Sequence, residues 1–280
     1  MRDKIFQALS MDNLESLIKD HSKEFDVIIS GGGFYAFYVM GVDRVLKKIQ
    51  QEGMIKIRRY AGVSAGAIIA VLMQCNHNGV EIVHHLHDKL AGQSDFFVKL
   101  REQLLLLFPK DAYLQCSGNV FIHLSEVTWY GLRPCVISQF ESNEDLVDAC
   151  MASANMPFII SPSFFYRYRD RWYMDGCLTR VLPTFSDSAS QLLIKLYRID
   201  YGWNCLYSPV DRSIEGLIVK GAVETASFFR TDDHRVVALE WYLVKMRKYK
   251  IIRRYVMLGI TTVVTGLAIR RWVSSSTPRQ

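Results

Sequence analysis

The six cysteines of this chain, Cys75, Cys116, Cys135, Cys150, Cys177 and Cys205, make no C-x-x-C pair and no zinc-finger spacing. A zinc ribbon is thereby excluded, and a disulfide framework is not expected in a chain of 280 residues, which can bury a core without staples. No apolar signal-type run follows Met1; the opening MRDKIFQALSMDNLESLIKDHSKEF is mixed and charged, which predicts an intracellular chain with reduced thiols. Internal repeats are absent, and low complexity is confined to the short SSSTP near the end. Acidic residues all but vanish from the last stretch: residues 234–280 hold ten Lys/Arg and the single acid Glu240, a balance of +9, whereas the residues before them balance at −3. That basicity lies on no recognisable nucleic-acid module with stacking aromatics, so nucleic acid is not an expected partner and a membrane surface fits better. What remains is 50% hydrophobic and 22% charged, the composition of a globular chain.

The apolar pattern is that of an α/β protein. FDVIIS, residues 25–30, predicts a buried strand that stops at Gly31-Gly32-Gly33. Phe34, Phe37, Tyr38, Gly41, Val45, Leu46 and Ile49 then recur at three- and four-residue steps, the apolar face of a helix closed near Gly53. A second strand over 54–61 ends in Gly62-Val63-Ser64-Ala65-Gly66, and residues 67–75 are apolar all round, as in a buried helix. Strand, glycine turn and helix, twice over, predict a parallel sheet with crossovers. Further on, the pattern predicts two helices over 80–108, strands over 119–130 and 132–138, and a helix from Asn143 to about Ala154. A hairpin over 163–174 turning at Arg169-Asp170 comes next, then a last strand over 191–197 and helix over 212–254.

Three positions carry chemistry. Gly62-Val63-Ser64-Ala65-Gly66 is a G-x-S-x-G at a strand-to-helix turn, where the flanking glycines let the serine take a strained backbone and stand exposed as a nucleophile. Gly31, Gly32 and Gly33 can aim backbone N–H groups at a developing oxyanion. No G-K-[ST] comes after them and the G-x-G-x-x-G spacing is broken, which argues against a phosphate loop. Asp175, in Asp175-Gly176 at the end of a strand, can take the serine proton as general base, or it can be an ordinary hairpin turn.

Together these residues resemble the patatin-like phospholipases. Cys150-Met151-Ala152-Ser153-Ala154-Asn155-Met156-Pro157-Phe158 is similar to the family's A-S-x-A-x-P-x-x-F segment, and Tyr173-Met174-Asp175-Gly176-Cys177-Leu178 to its Y-x-D-G-G/A segment. The resemblance implies a three-layer α/β fold with a mostly parallel sheet flanked by helices. It also implies a Ser64–Asp175 dyad with a glycine-rich oxyanion loop at residues 31–33, working without metal or other cofactor on phospholipid or acylglycerol esters. The sequence departs from the family pattern at three places: Tyr35 and Ala36 stand where a basic residue and a glycine are usual, Cys177 replaces a Gly or Ala, and Arg180-Val181 occupies the place of a common Asn.

The sequence leaves alternatives open. Ser64, Asp175 and His234 occur in the chain order of an α/β-hydrolase triad, and a weakened oxyanion loop would suit an inactive membrane-bound interaction protein. His84, His85 and His87 could hold a metal or simply face solvent on a helix. The expected organisation is a catalytic domain over 1–233 followed by a basic amphipathic helix and a short hydrophobic segment over 234–280. Its fifteen uncharged residues 255–269 would measure about 22 Å as a helix, short of a bilayer core but flanked by arginines on both sides. This predicts association with anionic lipid through the tail, with the catalytic domain on the cytosolic side.

Overall fold

A computed structural model describes residues 24–76, 78–90, 93, 95–187, 190–199, 214–231 and 238–243. Contacts divide the chain into two compact units, Met1–Trp241 and Tyr242–Gln280; His234 and the run 255–269 lie outside the described residues.

The first unit is built on an eight-stranded mixed sheet flanked by helices. Its strands are β1 (Glu24–Ile29), β2 (Lys56–Val63), β3 (Val120–Thr128), β4 (Gly131–Ile137), β5 (Tyr166–Tyr168), β6 (Arg171–Met174), β7 (Ser190–Ile194) and β8 (Leu239–Leu243). They lie in the order β5-β6-β3-β2-β1-β7-β8, with β4 on β3. The centre is parallel, β7 to β1, β1 to β2 and β2 to β3. β1 and β7 are buried almost throughout, as strands covered on both faces must be, and so they read as continuous apolar runs. At the β3 end the pairing turns antiparallel.

The helices are α1 (Ala36–Gln51), α2 (Ala65–Gln74), α3 (Gly79–Leu90), α4 (Phe96–Leu107), α5 (Ala112–Cys116), α6 (Asn143–Ser153) and α7 (Ile214–Thr231). Residues 66–73 of α2 are all buried, which explains its uniformly apolar sequence. α6 starts where the sequence places a cap: the Ser142 side chain accepts from the Asp145 amide, with Glu144 and Asp145 in the first turn. α1 and α7 cross with their backbones in contact. A Cβ at Gly41 would fall 1.9 Å from the Ile218 carbonyl oxygen, and one at Gly221 would fall 2.0 Å from that of Tyr38. The Tyr38 hydroxyl donates to Glu224 Oε2 at 2.7 Å beside this crossing.

Two expectations are corrected. The strand over 190–194 is not the last, and helix does not extend over all of 212–254: it occupies Ile214–Thr231, after which Leu239–Leu243 is a strand. The cause is burial. Leu239 enters the core, and the Trp241 ring packs edge-on to Phe25 at 5.1 Å and against Phe228 and Phe229. Packing against an aromatic cluster overrides the helical charge spacing. The Lys195 amide donates to Ala238 O at 2.7 Å, and the Lys195 ammonium pairs with Glu240.

Candidate active site

Strand register explains how two residues more than a hundred positions apart come together. His123 of β3 pairs with Val63 of β2 and with Val136 of β4, and Ser125 of β3 pairs with Pro134 of β4 and with Met174 of β6. Since β4 takes one edge of β3, β2 and β6 share the other. β2 runs parallel to β3 and ends at Val63; β6 runs antiparallel and ends at Met174. They meet head-on, so the next residues, Ser64 and Asp175, arrive at the same point.

Ser64 has φ 55° and ψ −130°, a conformation strained for any residue with a side chain. The flanking glycines are required by close approach: a Cβ at Gly62 would lie 2.3 Å from Gly66 O, and one at Gly66 would lie 2.7 Å from the Ile29 and Ser30 carbonyls. The strained turn is tethered. The Ser64 amide donates to Ser153 Oγ at 2.8 Å, and that hydroxyl donates to His123 O at 2.7 Å.

Asp175 is fully buried. Its amide donates to Asn155 O at 2.9 Å, its carbonyl accepts from Ser125 Oγ at 2.8 Å, and its Oδ1 accepts from the Cys177 amide at 2.8 Å. Oδ2 has no hydrogen-bond partner of ordinary geometry, the loose arrangement common in an unliganded site. Burial raises the carboxyl pKa above its ordinary value; the Ser64 hydroxyl, then the Cys177 amide and thiol, pull it back.

The glycine loop lies against Ser64 and against Cys177, two residues past Asp175. A Cβ on Gly31 would fall 2.2 Å from Cys177 Sγ and 3.2 Å from Ser64 Cβ. Ser30 fixes the loop to the end of β7 and to Leu196 just beyond it: the Ser30 amide donates to Ile194 O at 2.9 Å, and its hydroxyl accepts from the Leu196 amide at 2.9 Å. Gly33 has φ +49°, and the Tyr35 amide closes back on Gly32 O at 3.0 Å. The N–H groups of Gly31, Gly32 and Gly33 donate to no acceptor among the described residues. Tyr35 is buried in the core and Ala36 forms cavity wall, so neither departure from the family pattern puts a cation on the loop.

Ser64 opens on a cavity of about 320 Å³ whose walls are mainly apolar, among them Phe34, Ile68, Leu72, Leu86, Phe96 and Ile160. The helical histidines do not converge on a metal. His84 Nε2 lies 3.3 Å from Glu215, His85 Nε2 lies 2.9 Å from Gln103 and His87 Nδ1 lies 3.4 Å from Asp88. No metal-holding group of three occurs among the described residues. Beside the site, His123 is buried with Nε2 3.0 Å from Thr179 Oγ1, and burial depresses its pKa to about 4.

Sequence reasoning identifies Ser64, Asp175 and the glycine loop and misses the part played by Ser153 and Asn155. The segment that carries them stands in the sequence only as a family signature. In the fold it is a clamp, Ser153 on the Ser64 turn and Asn155 on the Asp175 turn.

The fold and site define an α/β protein with a serine at a strained strand-to-helix turn beside a buried carboxylate and a glycine loop. Residues 27–115 match the family model described as patatin-like phospholipase. It is 28% identical over 178 residues to an omega-hydroxyceramide transacylase of Mus musculus, covering 59% of this chain and 29% of that protein. To patatin-like phospholipase domain-containing protein 4 of Homo sapiens it is 23% identical, covering 58% and 67%. A 1-acylglycerol-3-phosphate O-acyltransferase of Mus musculus is 26% identical, covering 59% and 42%. The chain spans less than a third of the length of the mouse transacylase. Two of these relatives are named for acyl transfer to lipids and the third for its patatin-like phospholipase domain.

Proposed function

We propose that this protein is a metal-independent serine acyl hydrolase that acts on phospholipid, lysophospholipid or acylglycerol esters at a membrane. The observation that carries the reading is Ser64, held in a strained elbow at the mouth of an apolar cavity, with the buried Asp175 carboxylate at the meeting point of β2 and β6. Ser64 Oγ attacks the acyl carbonyl as Asp175 takes its proton, and the residue 31–33 amides hold the oxyanion. Collapse of the tetrahedral intermediate expels the lipid alcohol, which leaves with the proton from Asp175. Water then attacks the acyl-enzyme, again giving its proton to Asp175, and the fatty acid departs as Ser64 is restored.

The names of the relatives favour a second outcome of the same chemistry, since an alcohol in place of water would make the acyl-enzyme a transacylase. Membrane association is proposed through the basic stretch and apolar run of the tail, on anionic lipid with the catalytic domain cytosolic.

The test is hydrolysis of a lipid panel, with and without an added acylglycerol or lysophospholipid acceptor, by wild type beside Ser64→Ala and Asp175→Asn. Each substitution should remove nearly all acyl release, because the pair acts as one unit. Full activity in Ser64→Ala, or no fluorophosphonate labelling of wild-type Ser64, would overturn the reading in favour of an inactive interaction protein.

A further inference from the structure

The loop after α6 divides its hydrophobic residues between inside and outside. Ile159 and Ile160 line the cavity, whereas the neighbouring Phe158 is 69% exposed. Its ring stands edge-on to Phe164 at 4.5 Å; Phe164 lies 5.7 Å from Phe165, and Phe165 lies 6.4 Å from Trp172. Phe164, Phe165 and Trp172 are themselves 54%, 41% and 50% exposed. Four rings thus form one continuous outward array, on the order of 400 Å² of apolar surface, a size that on a single chain marks a binding site.

The array is held out rigidly. The Phe158 amide donates to Ser161 O at 2.8 Å, the Ile160 and Ser161 amides both donate to Met156 O at 3.1 Å, and Asn155 Nδ2 donates to Phe164 O at 3.3 Å. Phe158 sits at φ +61°, a left-handed conformation unfavourable for an aromatic residue. A strained backbone that holds a ring in water gains nothing inside the fold, and its gain must come from a partner outside. Arg167 pairs with Trp172 across the hairpin and so shares its face. Its exposed guanidinium rests in a weak surface pair with Asp170 at the rim, a pair that a phosphate headgroup could replace.

We propose that this array is a docking surface that enters the apolar zone of a lipid bilayer and brings the mouth of the cavity against it. The proposal rests on the reading that the cavity takes acyl chains, since continuity through Ile159 and Ile160 is what favours lipid over a protein partner. Aromatic rings with a flanking arginine suit the depth just below the headgroups.

The test uses the full chain and neutral phosphatidylcholine vesicles carrying brominated acyl chains, in high salt that screens the basic tail. Quenching of tryptophan fluorescence should be strong in wild type and much weaker in Trp172→Phe. A Phe158→Ser/Phe164→Ser double variant should lose at least about tenfold of the Trp172-dependent quenching, the part that Trp172→Phe removes, whether or not residues 255–269 also hold the chain on the vesicle. Its hydrolysis of a soluble short-chain ester should stay within about twofold of wild type, because neither ring lines the cavity. Equal quenching in wild type and Trp172→Phe, undiminished Trp172-dependent quenching in the double variant, or a wild-type dimer that the double variant dissociates would overturn the proposal. Absence of soluble-ester hydrolysis by wild type, with quenching and its loss intact, would instead sink the catalytic reading and leave the docking surface standing.

Discussion

Replacing Ser153 by alanine removes one hydroxyl about which the serine elbow is organised. Ser153 is fully buried, accepts from the Ser64 amide at 2.8 Å and donates to His123 O at 2.7 Å. Alanine leaves that amide buried without an acceptor, and such an orphaned group costs about 1–3 kcal/mol beyond the bonds themselves. A total near 2–3 kcal/mol translates into a fall in Tm of about 4–10 °C for a domain of this size, read by thermal unfolding. The effect on chemistry should be larger than stability alone explains. The φ of +55° at Ser64 stores about 1–3 kcal/mol, and loss of the tether lets the turn relax and displaces the hydroxyl from Asp175. Labelling by a fluorophosphonate, measured well below the unfolding midpoint, should slow by about 10- to 100-fold. Ser117→Ala is the control: Ser117 also accepts from a backbone amide, that of Phe140, and donates to a carbonyl, that of Tyr113, away from the site. It should lower Tm comparably and leave labelling unchanged. If Ser153→Ala labels at the wild-type rate, or if both serines slow labelling alike, the clamp argument is wrong.

Because burial raises the Asp175 pKa, its carboxylate is available as base only above the ordinary carboxylate range, and the acid limb of activity should lie there and disappear in Asp175→Asn. The same shift makes this group's contribution to stability fall as pH rises from the ordinary carboxyl value through the raised one, so Asp175→Asn should match or exceed wild type in Tm at neutral pH; a clear loss would argue against it. Gly31→Ala should abolish labelling, since its Cβ would meet Cys177 Sγ at 2.2 Å, and adding Cys177→Ala should restore only part, with Ser64 Cβ still 3.2 Å away. Full-length protein should stay with membranes in alkaline carbonate, whereas a chain ending at Arg254, which keeps the basic stretch and lacks 255–269, should be released; equal pelleting would remove the tail from the account.

The N-terminal half of the fold was legible because its signals are local. Phe25 to Ile29 is a nearly unbroken apolar run ended by glycines; further on, Asp170 of the hairpin turn tolerates its φ of 58°, whereas Arg169 at φ 43° gave no such signal. β8 was not legible: LEWYL reads as part of the helical pattern over 212–254 until Trp241 finds Phe25, Phe228 and Phe229, contacts that no window of sequence contains. At the site, Ser64 and Asp175 announced themselves by motif. Ser153 and Asn155 act through hydrogen bonds to turns that sequence spacing does not bring near, and a buried serine on an apolar helix looks like packing.

The backbone-to-backbone crossing of α1 and α7 also orders events in time. α1 continues directly from the glycine loop, and its Gly41 rests on a helix some 180 residues later in the chain. Contacts this distant in sequence close late in folding, after local hairpins and helices have formed. During synthesis the Gly62–Gly66 turn emerges within the first quarter of the chain, yet the helix that packs on α1 begins only at residue 214. A nascent chain therefore carries Ser64 long before α1 is packed, and the proposed ester cleavage would switch on only when the C-terminal part of the domain has been made and docked.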